Sequence, residues 1–434
     1  MSNDANNLVN IESVIIEQKE SKLSTEIANG VSDIDIFEHL DKPYLTAVLG
    51  YTDRDSVVSL MNISGGEKVH IKLKSNRPQT VSVSKTFFID KIILSDKSTE
   101  LSELYVFHLI EDIGYISNLK NVNQPYSGKP NDIIELIAKD FLDTKPVITS
   151  GVVFQSMKVI IPNLTPIDAM CWIKNRASTG DGYPYYLYST LVDKELQMRD
   201  LHSLMTPVSM NPKTPYSFTG ASLAESSSDR TTSDRTIVRY QSKDTENLFK
   251  LIQEGLIGSE YRYINVTKDK VDTFSFNVDT EVITRLKTDN IIDKGTPLFD
   301  NSKYKDITAD MKSRSISQIG GSSAYDGGKS YSESEAVAQY KFNIINRAMT
   351  HMLTKSKIDF VLEGTEFLDG NANKTLGRKI SLRFLRNKLE ESSDNIYDRK
   401  KSGDFLIFAC KHSISRNSYY VTMSGVKLSN GEVQ

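Results

Sequence analysis

The side chains best suited to metal binding or acid–base catalysis are six histidines and two cysteines. The histidines are His39, His70, His108, His202, His351 and His412. No two of them lie at the spacing of metal ligands, so structural or surface roles are favoured over catalysis. Cys171 and Cys410 stand in apolar surroundings with no partner at metal-ligand spacing. The sequence therefore predicts small buried thiols, no disulfide and no metal site.

Three carboxylates near predicted strand ends, Glu363, Glu366 and Asp369, are the best candidates for hydrolysis. Glycan hydrolases use pairs of Asp or Glu residues set several ångströms apart around the bond that is cleaved. No pattern in the sequence places a second carboxylate across a groove from these three. Surface and turn roles are therefore favoured for them.

Four tyrosines, Tyr183, Tyr185, Tyr186 and Tyr188, follow Trp172 closely in the chain. Such a cluster could form a flat platform for a carbohydrate or a peptide. A half-buried strand that packs on the preceding helix explains the same pattern with fewer assumptions. The structural interpretation is therefore favoured.

Sequence motifs of hydrolases and of nucleotide-binding proteins are absent from the sequence. It contains no Gly-x-Ser-x-Gly elbow, no Walker-type loop ending in Lys-Ser/Thr and no dinucleotide fingerprint. The pairs Gly320-Gly321 and Gly327-Gly328 lie in a serine-rich loop and not at a strand-to-helix turn, so a phosphate site there is not favoured. The sequence predicts a protein that is not an enzyme and has no cofactor.

Size and charge narrow the class of protein further. A chain of 434 residues is too long for one compact core, so two to four domains are expected. The net charge is −3 and no long block of Lys and Arg occurs, which argues against a dedicated nucleic-acid-binding protein. No apolar run approaches the roughly 18 residues that span a bilayer, and the first residues lack a secretory signal, so we expect synthesis in the cytoplasm without a membrane anchor.

Hydropathy patterns predict strand-rich ends and a mixed centre. Short runs rich in β-branched and aromatic residues predict strands near both ends of the chain. Patterns that start at Pro130 and Pro166, the second after a capping Thr165, predict two helices. Residues 181–201 predict a hairpin, residues 260–282 predict paired strands, and residues 339–354 predict a short helix. The predicted fold is α+β, mainly β, with two tube-like β-barrel or roll domains and an α+β module and an inserted segment between them.

The predicted parts follow one another along the chain. They are an acidic N-terminal arm (1–40), a first tube-like β-barrel (41–118), an α+β module (119–205), an extended Ser/Thr/Pro-rich connection with the start of the second barrel (206–245), an inserted helix and strand segment with a Gly/Ser-rich loop (246–335) and a second tube-like β-barrel (336–434). The arm carries eight acidic residues against Lys19 and Lys22 and few aromatic residues, which predicts partial order outside the main core.

The two predicted barrels echo each other in sequence. The stretch from Gly66 to Leu73 aligns with the stretch from Gly377 to Phe384, because each has a glycine, two polar residues and then alternation. A long strand pair follows in both cases. The echo indicates an internal duplication, although alternating strands are common enough for coincidence to remain a real alternative. With a duplication, three chains would place six similar barrels around one axis.

The chain resembles the central baseplate hub proteins of contractile-tailed (myovirus) bacteriophages, over roughly residues 40–270 and 340–430. The residues that carry the resemblance are Tyr126-Ser127-Gly128-Lys129-Pro130, Ile133, Ile134, Ile161-Pro162-Asn163-Leu164-Thr165-Pro166-Ile167-Asp168-Ala169-Met170-Cys171-Trp172-Ile173, Arg176-Ala177, Gly182-Tyr183-Pro184-Tyr185-Tyr186-Leu187-Tyr188, Arg199-Asp200-Leu201-His202-Ser203-Leu204, Asp398, Ser402-Gly403-Asp404-Phe405-Leu406-Ile407, Lys411-His412 and Tyr419-Tyr420.

The resemblance implies a structural virion protein of the phage tail. Its implied form is a homotrimeric ring that joins the tail tube to the central spike and lines a channel for DNA. The implied partners are the tail spike protein, tail tube or tube-initiator proteins and other baseplate proteins, with DNA passing without specific contacts. The acidic start and the 300–335 loop have no counterpart in the family pattern.

Two other functions stay open at this level. One is a tail-associated peptidoglycan hydrolase or glycan-binding protein that uses the Glu363 region or the tyrosine cluster. The other is the spike of a secretion system, which uses similar barrels. That family normally continues into a long β-helical needle, and no such repeat follows residue 430 in this sequence.

Overall fold

The structure is a computed structural model. It describes residues 9–19, 23–99, 101–149, 156–218, 235–244, 248–265, 270–292, 315–320, 333–386, 397–398 and 401–428.

Strands dominate the described part of the chain. They are β1 (Val9–Glu17), β2 (Ser24–Glu26), β3 (Val31–His39), β4 (Thr46–Asp53), β5 (Lys68–Ser75), β6 (Val83–Thr99), β7 (Ser102–Glu111), β8 (Pro125–Gly128), β9 (Val147–Thr149), β10 (Met157–Ile160), β11 (Tyr185–Tyr188), β12 (Gln197–Asp200), β13 (Tyr216–Phe218), β14 (Arg239–Asp244), β15 (Gly258–Asn265), β16 (Lys270–Asn277), β17 (Ser315–Gly320), β18 (Ser356–Glu363), β19 (Lys379–Phe384), β20 (Gly403–Ser415) and β21 (Tyr419–Lys427).

The helices lie mainly in the middle of the chain. They are α1 (Val57–Leu60), α2 (Asp112–Asn118), α3 (Pro130–Leu142), α4 (Pro166–Lys174), α5 (Leu201–Met205), α6 (Leu248–Gln253), α7 (Thr284–Thr288) and α8 (Glu333–Lys355). The prediction of an α+β protein that is mainly β is confirmed.

Thirteen of the described strands form one sheet. Its order is β14-β18-β21-β20-β3-β4-β7-β6-β5-β1-β2, with β19 beside β20 and β13 beside β19. The strands form where apolar and polar residues alternate, as in β5, where Val69, Ile71 and Leu73 are buried between lysines that are exposed. A strand with that period buries one face and leaves the other in water.

Two groups of strands in this sheet have the same order. The N-terminal set has the order β1-β5-β6-β7-β4-β3, and the C-terminal set has the order β13-β19-β20-β21-β18-β14. In each set the first strand along the chain pairs with the fourth, which is β1 with β5 and β13 with β19. One difference is that β1 runs antiparallel to β5, whereas β13 runs parallel to β19. The shared order is what an internal duplication predicts.

The described part of the first 40 residues, 9–19 and 23–40, is not an arm outside the core, contrary to the sequence-based prediction. Strands β1 and β3 belong to the main sheet, and Val14, Ile16, Ile34 and Ile36 are fully buried in its core. Asp33 and Asp35 of β3 alternate with these apolar side chains and lie on the more exposed face, whereas Glu38 further along the strand is buried. The amino-acid composition of these residues shows only that they are acidic. The alternation of apolar and polar residues along β1 and β3 is what predicts strands.

The centre of the chain holds a second, smaller core. Helices α3 and α4 pack on each other and on strands β8 to β12, and both begin at the predicted prolines. The Thr165 hydroxyl accepts a hydrogen bond from the amide of Asp168, so the predicted cap is confirmed. The predicted hairpin is also confirmed, as β11 and β12 pair antiparallel.

The inserted segment contains a three-stranded sheet, and the longest described helix follows it. Strands β15 and β16 pair antiparallel as predicted. Strand β17 pairs parallel with β15, and residues 333–335 begin helix α8, so these parts of the 300–335 segment are not a loop. Residues 300–314 and 321–332 lie outside the described residues, as does 219–234 of the predicted extended connection. Helix α8 begins earlier than the predicted helix over 339–354 and packs Ile345, Met349 and Leu353 into the core.

Candidate functional site

The three carboxylates considered for hydrolysis make local structural contacts. Glu366 accepts a hydrogen bond from the Tyr216 hydroxyl at 2.9 Å, and burial together with this carboxylate raises the pKa of Tyr216. Asp369 accepts a hydrogen bond from the amide of Asn371 at 3.1 Å. Glu363 ends β18 opposite Tyr420. The geometry favours the predicted surface and turn roles, and none of these contacts assembles an acid–base pair.

The tyrosine cluster does not form a surface platform. Tyr183, Tyr185, Tyr186 and Tyr188 are each only 2–3% exposed, so their rings pack in the core rather than against a ligand. The Tyr183 hydroxyl donates a hydrogen bond to Asp289, which ties β11 to the inserted segment. The strand is therefore more deeply buried than the predicted half-buried strand, and a glycan or peptide platform is excluded in this conformation.

The histidines divide into exposed ones and one that is buried. His70 and His108 lie beside Glu17 and Asp90 on the protein surface. His412 is 1% exposed and lies beside Cys410 and Glu38 in the interior. Sequence reasoning missed this cluster, because Glu38 lies far away in the chain. The only local signal was Cys410 and His412 two residues apart on one strand, where both side chains point to the same face.

The two strand sets meet at a seam between β3 and β20. Residues 33–39 of β3 pair antiparallel with residues 409–415 of β20, so the main sheet continues from one set into the other. On the outer face the Lys411 ammonium lies 2.8 Å from the Asp35 carboxylate. Backbone pairing over a whole strand makes this a rigid junction rather than a hinge.

The hairpin β6–β7 corresponds to β20–β21, but no described strand pairs with the outer edge of β6 beyond Ile89. Because β5 and β19 are equivalent, their partners Phe88 in β6 and Leu406 in β20 are equivalent too. Beyond that point β20 is covered by β3, whereas β6 from Asp90 onwards has β7 as its only neighbour among the described strands. Side chains along this ribbon are exposed, including the apolar Ile93 and Leu94.

Strand β14 has a second edge that no described strand pairs with along residues 239–244. It corresponds to β3 and pairs with β18, but it ends the order of the described strands. Following the pairings from β20 to β14 and from β6 to β3 makes Lys243 of β14 equivalent to Phe37 of β3. Among the described residues, one chain therefore has an unpaired strand edge and an unpaired hairpin edge that match the two sides of its own seam. Exposed strand edges of this kind are ready to pair with another chain.

No helix among the described residues is both long and apolar enough to cross a membrane.

Comparison of the fold with solved structures gives phage tail proteins. A tail protein from Neisseria meningitidis MC58 matches with a TM-score of 0.51 and 13% identity, covering 96% of both chains. The 43 kDa tail protein of prophage MuSo2 from Shewanella oneidensis matches with a TM-score of 0.49 and 9% identity, covering 98% of this chain and 100% of that one. A type VI secretion system component from E. coli matches with a TM-score of 0.47 and 9% identity, covering 98% and 78%.

Sequence comparison adds nothing to this result. No protein-family profile matches the chain. No curated protein matches it by sequence. The fold is that of phage tail proteins, and the resemblance seen in the sequence is confirmed at the level of the fold.

Proposed function

We propose that this protein is a structural subunit of a phage tail, the central baseplate hub, and that three copies form a ring between the tail tube and the central spike. The observation that carries the proposal is the pair of edges, one on β6 and one on β14, that no described strand covers. Each corresponds to an edge that the β3–β20 seam covers within the chain. A second copy can therefore repeat, between chains, the junction that already exists within one chain.

The repeat of this junction leads to a closed ring. In the seam, residues 33–39 pair with 409–415, and the equivalent contact between chains brings residues 239–244 of one copy to residues 92–99 of the next. The contact is head to tail, so it ends in a closed ring if the rotation between copies closes. Three copies with two sets each give six equivalent positions around an axis.

Apolar side chains on the hairpin also favour burial in an assembly. Ile93 and Leu94 are 51% and 45% exposed on a two-stranded ribbon. An isolated two-stranded ribbon is only marginally stable in water. Pairing with β14 of another copy would stabilise the ribbon in two ways. It gives hydrogen-bond partners to the backbone groups on the outer edge of β6, and it buries the apolar side chains.

A hub of this kind meets the tube on one face and the spike on the other, together with other baseplate proteins. DNA passes through its channel without specific contacts, which agrees with a net charge of −3 and the lack of a basic block. The protein acts in the virion after assembly in the host cytoplasm. It has no catalytic role in this proposal, and the carboxylates near Glu363 serve the fold.

The test is the mass of the purified chain by light scattering over a hundredfold dilution. We expect a mass near three times 48.8 kDa throughout. The double substitution Ile93→Lys with Leu94→Lys should weaken association by roughly 100-fold, because it places two charges in the interface. The control Leu119→Lys changes a leucine that is 70% exposed elsewhere and should leave the mass unchanged. A wild-type chain that stays monomeric over the whole range contradicts the self-assembling ring.

A further inference from the structure

Three potential metal ligands meet at the seam between the two strand sets. Glu38 comes from β3 of the N-terminal set, and Cys410 and His412 come from β20 of the C-terminal set. All three are at most 3% exposed, and one ligand atom from each lies within 4.8 Å of the other two. The hub function gives these side chains no role.

The spacing of the ligand atoms fits a single small cation. The His412 Nε2 atom lies 3.5 Å from the Cys410 Sγ atom and 3.5 Å from the Glu38 Oε2 atom. Zinc binds thiolate, imidazole and carboxylate at about 2.0–2.3 Å, so neighbouring ligands in a tetrahedral site lie roughly 3.2–3.8 Å apart. The present distances fall in that interval without movement of the backbone.

A second layer of hydrogen bonds orients two of the ligands. The His412 Nδ1 atom lies 2.7 Å from the Tyr419 hydroxyl, whose oxygen can accept a hydrogen bond from Nδ1–H and so leave the lone pair of Nε2 free to bind a metal. The Glu38 carboxylate accepts hydrogen bonds from the Leu191 amide and, at 2.8 Å, from the Thr375 hydroxyl. Metal-binding histidines and carboxylates are usually held by such outer partners.

A fully buried carboxylate such as that of Glu38 is costly unless a positive charge lies beside it. The contacts of this carboxylate among the described residues are an amide, a hydroxyl, a thiol and an imidazole, of which only the imidazole can carry a positive charge. A cation held between the three side chains supplies that charge directly.

We propose that Glu38, Cys410 and His412 bind one divalent transition-metal cation of the zinc class, which links the two strand sets across their seam. Binding forms bonds from the cation to the Cys410 sulfur, the His412 Nε2 atom and a Glu38 oxygen. The thiol proton leaves to solvent, and no electron is transferred. Soft thiolate with imidazole selects zinc over magnesium or calcium.

The decisive experiment measures metal in the full-length chain. The protein is expressed in minimal medium supplemented with either zinc or cobalt, purified without chelators, and assayed for metal by mass spectrometry. We expect about one metal per chain, and the cobalt form should show a thiolate-to-cobalt absorption band in the near ultraviolet. Because the site is buried, supplying the metal during synthesis avoids slow entry into the folded protein.

Matched variants locate the metal. Cys410→Ser and His412→Gln should each lower the metal content at least 10-fold and abolish the cobalt band. The controls Cys171→Ser and His108→Gln make the same chemical changes outside the seam and should keep both. Circular dichroism shows whether the variants fold, and the wild-type metal content does not depend on them.

The outcomes separate the metal site from its alternative, a hydrogen-bonded network in which an imidazolium faces the carboxylate. A wild-type chain with less than about 0.1 metal per chain in both media overturns the proposal and favours the network. Metal that persists in Cys410→Ser together with His412→Gln overturns the location. The mass of the assembly is measured separately, so failure of the ring and failure of the metal site remain distinguishable.

Discussion

The N-terminal and C-terminal sets share one strand order, yet their long hairpins lie in different surroundings. The hairpin β20–β21 is covered along its outer edge by β3 of the same chain. No described strand covers the same edge of the hairpin β6–β7, and Ile93 and Leu94 are exposed on it. The two sets therefore share a strand order but differ in whether a strand covers the edge of the long hairpin. This difference is expected if a repeated unit forms the junction once within a chain and once with a neighbouring chain.

The sets also differ at one equivalent buried position. The pairings make Ile110 of β7 equivalent to Val426 of β21, so the next residues, Glu111 and Lys427, correspond. Glu111 pairs with the buried Lys85 at 2.8 Å, whereas the Lys427 ammonium donates a hydrogen bond to the Ser402 carbonyl. Opposite charges at one position show that the two sets have adapted to different neighbours.

The largest effect is expected from Glu111→Gln in the N-terminal set. Its carboxylate binds Lys85, the Ser189 hydroxyl and the Leu45 amide, so the change leaves a buried ammonium without its counter-charge. We expect a loss of about 3–5 kcal/mol in the free energy of unfolding, measured with chemical denaturant. Glu135→Gln on the surface of α3 is the control and should cost less than about 0.5 kcal/mol. Equal losses of unfolding free energy in the two variants would show that the Lys85–Glu111 ion pair does not hold the 119–205 module against the N-terminal set.

An intermediate effect separates the two hairpins directly. Ser413 of β20 has strands on both sides, whereas Asp96, at the corresponding position of β6, has β7 on one side only among the described strands. Proline at Ser413 removes a backbone hydrogen bond to a neighbouring strand, whichever of the two strands the amide faces. We therefore expect the free energy of unfolding to fall by about 2–3 kcal/mol.

Asp96→Pro is the matched variant on the edge of β6 that no described strand covers. It should lower the unfolding free energy of the separated chain by less than Ser413→Pro does, while it weakens association in light scattering. Similar destabilisation with no change in association would mean that this edge of β6 does not pair between chains.

The smallest effect concerns how β14 is held at the end of the C-terminal set. Burial opposes ionisation of Asp359, but hydrogen bonds from Lys243 at 2.9 Å and Ser424 at 2.5 Å outweigh it and lower the pKa of this carboxyl group. A lowered pKa means that the ionised group adds stability above the unfolded value of about 3.9, and that this stability is lost as the pH falls through the lower folded value.

We therefore expect Asp359→Asn to cost less than about 1 kcal/mol near neutral pH, since the pair is partly exposed. The difference from wild type should be constant down to about pH 5 and shrink below about pH 4. Unfolding curves across that range measure it. In a Lys243→Met background the same substitution should cost less, and an unchanged cost would contradict the role of the Lys243 contact.

Local pattern alone predicted most of the elements. Pro130, Pro166 and the Thr165 cap located two helices, and alternation located β4 to β7 and β18 to β21, because periodicity and capping act over a few residues. The same local view failed for residues 1–40, where acidic composition outweighed the alternating residues of β1 and β3.

The sequence by itself determined that the protein is mainly β, with strand-rich ends and helices between them, and it contained the echo that the matching strand order supports. Only the tertiary structure decided that β3 pairs with β20, that the tyrosine cluster is buried, and that Glu38 reaches Cys410 and His412. The physical reason is distance along the chain. Element formation depends on neighbours a few residues away, whereas a seam between strands more than 350 residues apart depends on which edges the rest of the fold leaves free.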